Sequence, residues 1–247
     1  MRALEKNIRG FNLLELLVVI VIISIISAVA YPNFSSWKKE REARNAATKI
    51  KNMFTNINSQ VQNGSFAFAQ VQVTTEYEDT EETITGTKKI PLLVVISKGL
   101  NMDTFTQRLR SVANWNSDIT VRCNPVQTGG WDEEGATIET SEDPDASTEF
   151  SVSNNLQVGF LSFDNIAVNF DGKTSGTICF SKDGTWYSAS GEFEDGLIIE
   201  EFLICNGIPV TTNCSESANK NVYAINWSRF GNITLKKWNK DMGWVLQ

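Results

Sequence analysis

Residues 10–31 read Gly10-Phe11-Asn12-Leu13-Leu14-Glu15-Leu16-Leu17-Val18-Val19-Ile20-Val21-Ile22-Ile23-Ser24-Ile25-Ile26-Ser27-Ala28-Val29-Ala30-Tyr31, an apolar run with one acidic side chain a turn inside it. No residue from Leu16 to Trp37 is charged, and nothing later in the chain matches this run in length. About 20 such residues in a helix reach across a typical hydrocarbon core. A carboxylate in hydrocarbon costs several kcal/mol and usually carries a function and a partner. Glu15 therefore marks the run as more than an anchor.

Ser27, Ala28 and Ala30 imitate the cleavage site of a secretory signal peptide, but the apolar region of such a signal is normally shorter. Charge does not orient the run. Arg2, Lys6 and Arg9 precede it and Lys38, Lys39, Arg41, Arg44, Lys49 and Lys51 follow it, so the excess of positive charge expected on the cytoplasmic side is ambiguous.

Gly10, Phe11 and Glu15, behind a short basic leader and ahead of the aliphatic run, resemble the type III signal of type IV pilins and pseudopilins. The resemblance implies cleavage between Gly10 and Phe11 by a prepilin peptidase, N-methylation of Phe11, and extraction of the helix from the membrane into a filament. It places the leader in the cytoplasm, a single-pass anchor in the bacterial inner membrane and the head in the periplasm. Other pilin or pseudopilin subunits and an inner-membrane assembly platform are the implied partners. Physics supplies a role for the acid. Cleavage frees a charged amine at Phe11, and in a bundle of helices an unpaired charge is expensive. Glu15 of one subunit and the Phe11 amine of a neighbour would satisfy each other and set axial register.

Pro32 follows the run, and a proline inside a continuing helix removes one backbone bond and kinks or loosens it. Many pilins have glycine eight residues before this proline, where this chain has Ser24. The helical pattern continues: Ala43, Ala47, Ile50, Phe54, Ile57 and Val61 recur at three- and four-residue steps, an apolar stripe on an otherwise polar helix. Asn63-Gly64 supplies the stop. The expected organisation is a cleaved leader over 1–10, a transmembrane and polymerisation helix over 11–34, the amphipathic half of that helix over 35–64, and a β-rich head over 65–247. The fold class is α+β, a long N-terminal helix packed on an antiparallel head, the pilin fold.

Strand formers dominate Ile90–Ser97, Ile119–Arg122, Asn165–Asp171, Gly176–Ser181, Thr185–Ser190, Leu197–Cys205, Asn221–Trp227 and Asn232–Trp238. Asp171-Gly172 and Asp183-Gly184 read as hairpin turns, and Thr74–Thr87 and Trp131–Thr148 as exposed loops. The passage from Ala43 through Asn63-Gly64 to Phe66, Phe68, Val71 and Val73 resembles the GspH/FimT group of minor pilins and pseudopilins. So do Ile166–Phe170, Gly176–Phe180, and Tyr223–Asn226 leading to Phe230–Leu235. Members of that group initiate or cap a type IV pilus or a type II secretion pseudopilus, and some bind DNA through C-terminal arginines. The corresponding position here is Gly231-Asn232-Ile233-Thr234, without arginines. The expected function is a minor pilin or pseudopilin. A DNA-binding or adhesive pilin of a competence or attachment pilus, or a major pilin, is the alternative.

Nucleic-acid contact would fall to Lys236, Lys237 and Lys240, set among Trp238 and Trp244, through stacking and phosphate contact. Charge opposes it. The chain carries −7, and loss of residues 1–10, with three basic side chains and one acidic, leaves −9. Such a balance suits basic partners better than a polyanion. The acid-rich segments Asp132-Glu133-Glu134 and Glu142-Asp143-Pro144-Asp145 lack an EF-hand pattern and read as solvated loops. The chain has no histidine, so neither a Ser-His-Asp array nor a mixed Cys/His zinc site can be built. No glycine-rich phosphate loop is present. No enzymatic activity, cofactor or metal is expected.

Four cysteines permit three connectivities. Cys205 and Cys214 bracket a short Asn-Gly-Ile-Pro segment that closes easily, leaving Cys123 with Cys179. Two disulfides in an oxidising space are expected.

Overall fold

The computed structural model describes residues 12–83, 86–123, 150–153, 156–189, 192–193, 201–206, 214 and 221–247; of 28–33, 78–89, 120, 150–158, 186–189 and 192–193 it describes the backbone alone. The segment Trp131–Thr148, with both acid-rich stretches, lies outside these residues, as do Gly10 and Phe11.

Helix α1 runs from Leu13 to Gln62, its backbone helical through Pro32. The chain divides after Glu40 into two compact units. Within the second, the stripe of α1 is wholly buried: Ala43, Ala46, Ala47, Ile50, Met53, Phe54, Ile57 and Val61 join one core cluster. α1 ends where Gly64 turns to φ +81°. There the Ser65 N–H donates to the Gln60 carbonyl at 2.9 Å and the Gly64 N–H to that of Val61 at 3.1 Å. This 6→1 and 5→2 pair satisfies carbonyls that a helix end otherwise leaves open.

The strands that follow are β1 (Phe68–Thr83), β2 (Gly86–Leu100), β3 (Phe150–Ser153), β4 (Leu156–Asp164), β5 (Ile166–Asn169), β6 (Ser175–Ser181), β7 (Gly184–Ala189), β8 (Glu192–Phe193), β9 (Glu201–Asn206), β10 (Val222–Trp227), β11 (Ile233–Asn239) and β12 (Gly243–Leu246). They form two antiparallel sheets, ordered β3-β4-β2-β1-β6-β7-β8 and β12-β11-β10-β9-β5. Alternation along each strand explains the shared core. Val71, Val73, Ile178 and Phe180 of the first sheet and Phe202, Ile204, Tyr223, Ile225 and Leu235 of the second belong to one core cluster with the stripe of α1. Phe54 is the junction, its ring 5.9 Å from Phe180 of one sheet and 5.9 Å from Phe202 of the other. The Val168 N–H, on β5, donates to Thr75 Oγ1 on β1 at 2.9 Å and ties the sheets together. The head is thus α+β, with the helix packed on antiparallel sheets.

Several local expectations are corrected. Thr74–Thr87, read as a loop, is mostly strand. β1 and β2 pair continuously from Phe68↔Leu100 to Thr83↔Gly86, with one register shift between Thr80 and Glu82. The register set by Val71 and Val73 extends into a polar stretch because backbone pairing does not require apolar side chains. Ile119–Arg122, read as a strand from its β-branched residues, is the short helix α3 (Ile119–Cys123). It follows a turn in which Asn114 has φ 63° and the Asp118 N–H donates to the Asn114 carbonyl at 2.9 Å. The β6–β7 loop is Lys182-Asp183, since Ser181 pairs with Gly184, so Gly184 opens the strand instead of closing the turn. Asp171-Gly172 is a two-residue turn, φ 47° and 88°, between the mutually bonded Phe170 and Lys173.

Helix α2 (Met102–Ser111) was not anticipated. Its cap, Asn101, accepts from the Thr104 N–H at 2.8 Å. With α3 it covers the back of the first sheet, where Phe105, Leu109, Val112, Ile119 and Val121 pack on Phe68, Leu100, Trp115 and the Cys123–Cys179 pair. Arg122 lies 5.7 Å above the Phe68 ring. Burial pushes its guanidinium below the usual range, while Asp183 and Asp118 act in the opposite direction.

Candidate functional site

Among the described residues of the first unit no side chain is buried. From Leu13 to Ile26 every Leu, Val and Ile of α1 is 45–80 % exposed, on all faces of the helix. A soluble surface helix shows one apolar stripe; apolar side chains on every side require an apolar surround. Among the described residues no helix is long and apolar enough to cross a membrane. The described side chains of the run stop at Ser27 and resume at Phe34, and Pro32 lies in that interval.

Two polar side chains within the run are handled differently. Ser24 Oγ donates to the Ile20 carbonyl at 2.7 Å, so the hydroxyl is satisfied inside its own helix. Glu15, in the first turn, is exposed and has no hydrogen-bond partner among the described residues. Its place at the third helical position puts a carboxylate beside backbone N–H groups that the helix leaves unpaired, at the end where the aligned peptide dipoles favour negative charge. Asn12 defines that position. Its Oδ1 accepts from the Leu14 N–H at 3.3 Å and its carbonyl accepts from the Leu16 N–H at 3.1 Å, the arrangement of an N-cap. Asn12 was not singled out in the sequence, although Asn-x-x-Glu before an apolar run has the spacing of a capping box.

The remaining candidate residues lie in the head. Disulfides join Cys123 to Cys179 and Cys205 to Cys214. The first fixes α3 to β6, and the Cys123 carbonyl also accepts from Gln70 Nε2 at 3.0 Å. The second lies on the outer face of the second sheet with Ala167, Val222, Leu203, Trp238 and Trp244. Lys236 and Lys237 are successive residues of β11 and so stand on opposite faces of the sheet. Trp238 and Trp244 meet edge to face at 5.4 Å and pack on the Cys205–Cys214 cluster. Lys240 is exposed in the β11–β12 turn. Lys236 shares its face of β11 with Trp238 and the paired Trp244, and Lys237 stands on the other.

Comparison with known proteins bears on the helix. A family model for the prokaryotic N-terminal methylation motif, the type IV prepilin signal, matches residues 6–31. This segment takes in Gly10, Phe11, Asn12 and Glu15 and stops one residue short of Pro32. No curated protein and no solved structure matches the chain. The chain therefore joins a type IV pilin-like signal to an α+β head built on the same helix.

Proposed function

We propose that the chain is a structural subunit of a type IV pilus or of a type II secretion pseudopilus, in the role of a minor subunit that initiates or caps the fibre. In this reading a prepilin peptidase cuts between Gly10 and Phe11, Phe11 is N-methylated, and residues 11–34 serve first as a single-pass anchor in the bacterial inner membrane and then as the polymerisation helix. The head stays in the periplasm and its disulfides form there. The observation that carries the reading is the helix exposed on all sides from Leu13 to Ile26 with one acid in its first turn, inside the matched signal. Lipid covers such a helix before assembly and the helices of other copies cover it afterwards. Packing and polar pairs, rather than water exclusion, then set the balance between the two states. Membership of the GspH/FimT group remains part of the proposal and rests on the sequence resemblance alone. The DNA-binding alternative draws no support from Lys236 and Lys237, which face opposite ways.

Glu15→Ala in cells with the processing and assembly machinery tests the reading. Truncation removes the acid without reducing hydrophobicity, so insertion and cleavage should persist. Leaving a buried amine unpaired costs about 3–5 kcal/mol, so incorporation into sheared fibres should fall by more than about 100-fold. Normal incorporation would count against the mechanism.

A further inference from the structure

We infer that Phe34, Trp37, Lys38 and Lys39 form a contact for the headgroup layer of an anionic phospholipid membrane, at the end of the apolar run away from Glu15. The inference rests on the reading above and adds to it the class of lipid that the anchor selects and the residues that select it.

Phe34 and Trp37 lie one turn apart on α1, 62 % and 53 % exposed, with ring centroids 5.8 Å apart. Their mutual contact leaves more than half of each residue open. Position along the helix indicates what covers them. At about 1.5 Å per residue, the stretch of α1 from Leu13 to Phe34 covers about 32 Å, close to the thickness of a hydrocarbon core, about 30 Å. With Leu13 at one boundary, Phe34 and Trp37 fall in the opposite headgroup layer. Amphipathic aromatic rings are favoured there, because the ring body is apolar while an indole N–H finds water or phosphate. Charge then indicates the lipid. Lys38 and Lys39 follow at once, both exposed, and no acidic residue lies between Glu15 and Glu40. Trp37 and Lys38 stand three and four residues after Phe34 and so share its side of the helix. A lysine stem lies along the acyl boundary while its ammonium reaches a phosphate, and each cation beside an anionic surface gains about fivefold in association. A zwitterionic headgroup offers the same phosphate with a compensating ammonium, so the net attraction is to anionic lipid. An acidic face of a second copy would also meet the lysines, but it gives the open aromatic pair no reason to stand one bilayer thickness from Leu13.

The test uses the full chain reconstituted in vesicles of mixed phosphatidylcholine and phosphatidylglycerol. Spin-labelled forms of the two lipids report their relative association with the chain by electron paramagnetic resonance. Wild type should prefer phosphatidylglycerol, and Lys38→Gln with Lys39→Gln should lower that preference at least about fivefold, the effect of one cation. Lys49→Gln with Lys51→Gln, the same change of charge farther along α1 in the second unit, should lower it less than about twofold, since screening limits the reach of an exposed charge. Trp37 emission, taken as the difference between wild type and Trp37→Phe, should be quenched most by lipid brominated next to the headgroup. Equal association of the two lipids with wild type would overturn the inference. So would an equal loss in the two lysine variants, or a Trp37 signal quenched from the bilayer centre or from neither depth. A preference unchanged in the Lys38 and Lys39 variant, together with its loss from sheared fibres, would overturn it by assigning the lysines to a neighbouring subunit. A wild-type chain that fails to enter vesicles of either lipid would instead bring down the parent reading.

Discussion

Phe54 is the residue at which the helix holds the two sheets together, and its truncation to Ala should be among the most damaging single changes in the head. The side chain is 0 % exposed, with rings 5.9 Å away on both sheets. Removing a buried Phe side chain costs about 3–5 kcal/mol, the spread reflecting how far the surroundings collapse into the void. Here neither sheet can close on the cavity without leaving the other, because the Val168–Thr75 bond couples them. The upper part of that range, about 4–5 kcal/mol, is therefore expected. At about 2–4 °C per kcal/mol for a domain of this size, the midpoint should drop by roughly 8–20 °C. Thermal melts of the full chain in detergent, followed by near-ultraviolet circular dichroism, measure this. Asn52→Ala, on the exposed face of the same helix, serves as control and should shift stability by no more than about 0.5 kcal/mol. A loss below about 1 kcal/mol for Phe54→Ala would refute the shared core.

The two disulfides should contribute unequally: by loop length, the Cys123–Cys179 bond, 56 residues apart, supplies about 4 kcal/mol and the Cys205–Cys214 bond, 9 apart, about 2.5 kcal/mol. Urea midpoints of the paired Ser variants give the order, and the reverse order would contradict the entropic account. Gly99→Ala should cost about 1–3 kcal/mol, since an added Cβ would lie 2.6 Å from the Phe66 ring. Phe66→Leu in the same chain should recover part of that loss in the same melts.

Legibility followed the range of the interaction. The acid-bearing apolar run and the stripe from Ala43 to Val61 are periodic, and a helix folds each residue against neighbours three and four places away, so both could be read directly. The Asn12 cap is equally local, its asparagine three residues ahead of Glu15. Strands such as Gly176–Ser181 stood out by composition. Ile119–Arg122 has a similar composition yet is helical, because its β-branched residues are held in a helix by the Cys123–Cys179 bond and by packing on the back of a sheet.

By itself the sequence determined a long helix, apolar on every side at one end and on a single stripe at the other, with one carboxylate at a set distance from a glycine. Those properties depend on the order of adjacent residues alone. Only the tertiary structure decided which of three cysteine pairings forms, that the polar stretch after Val73 continues as a strand, and that Trp238 and Trp244 pack on a disulfide. Each depends on segments far apart in the chain meeting in one register. That meeting is set by the joint packing of two sheets on one helix, which no local pattern encodes.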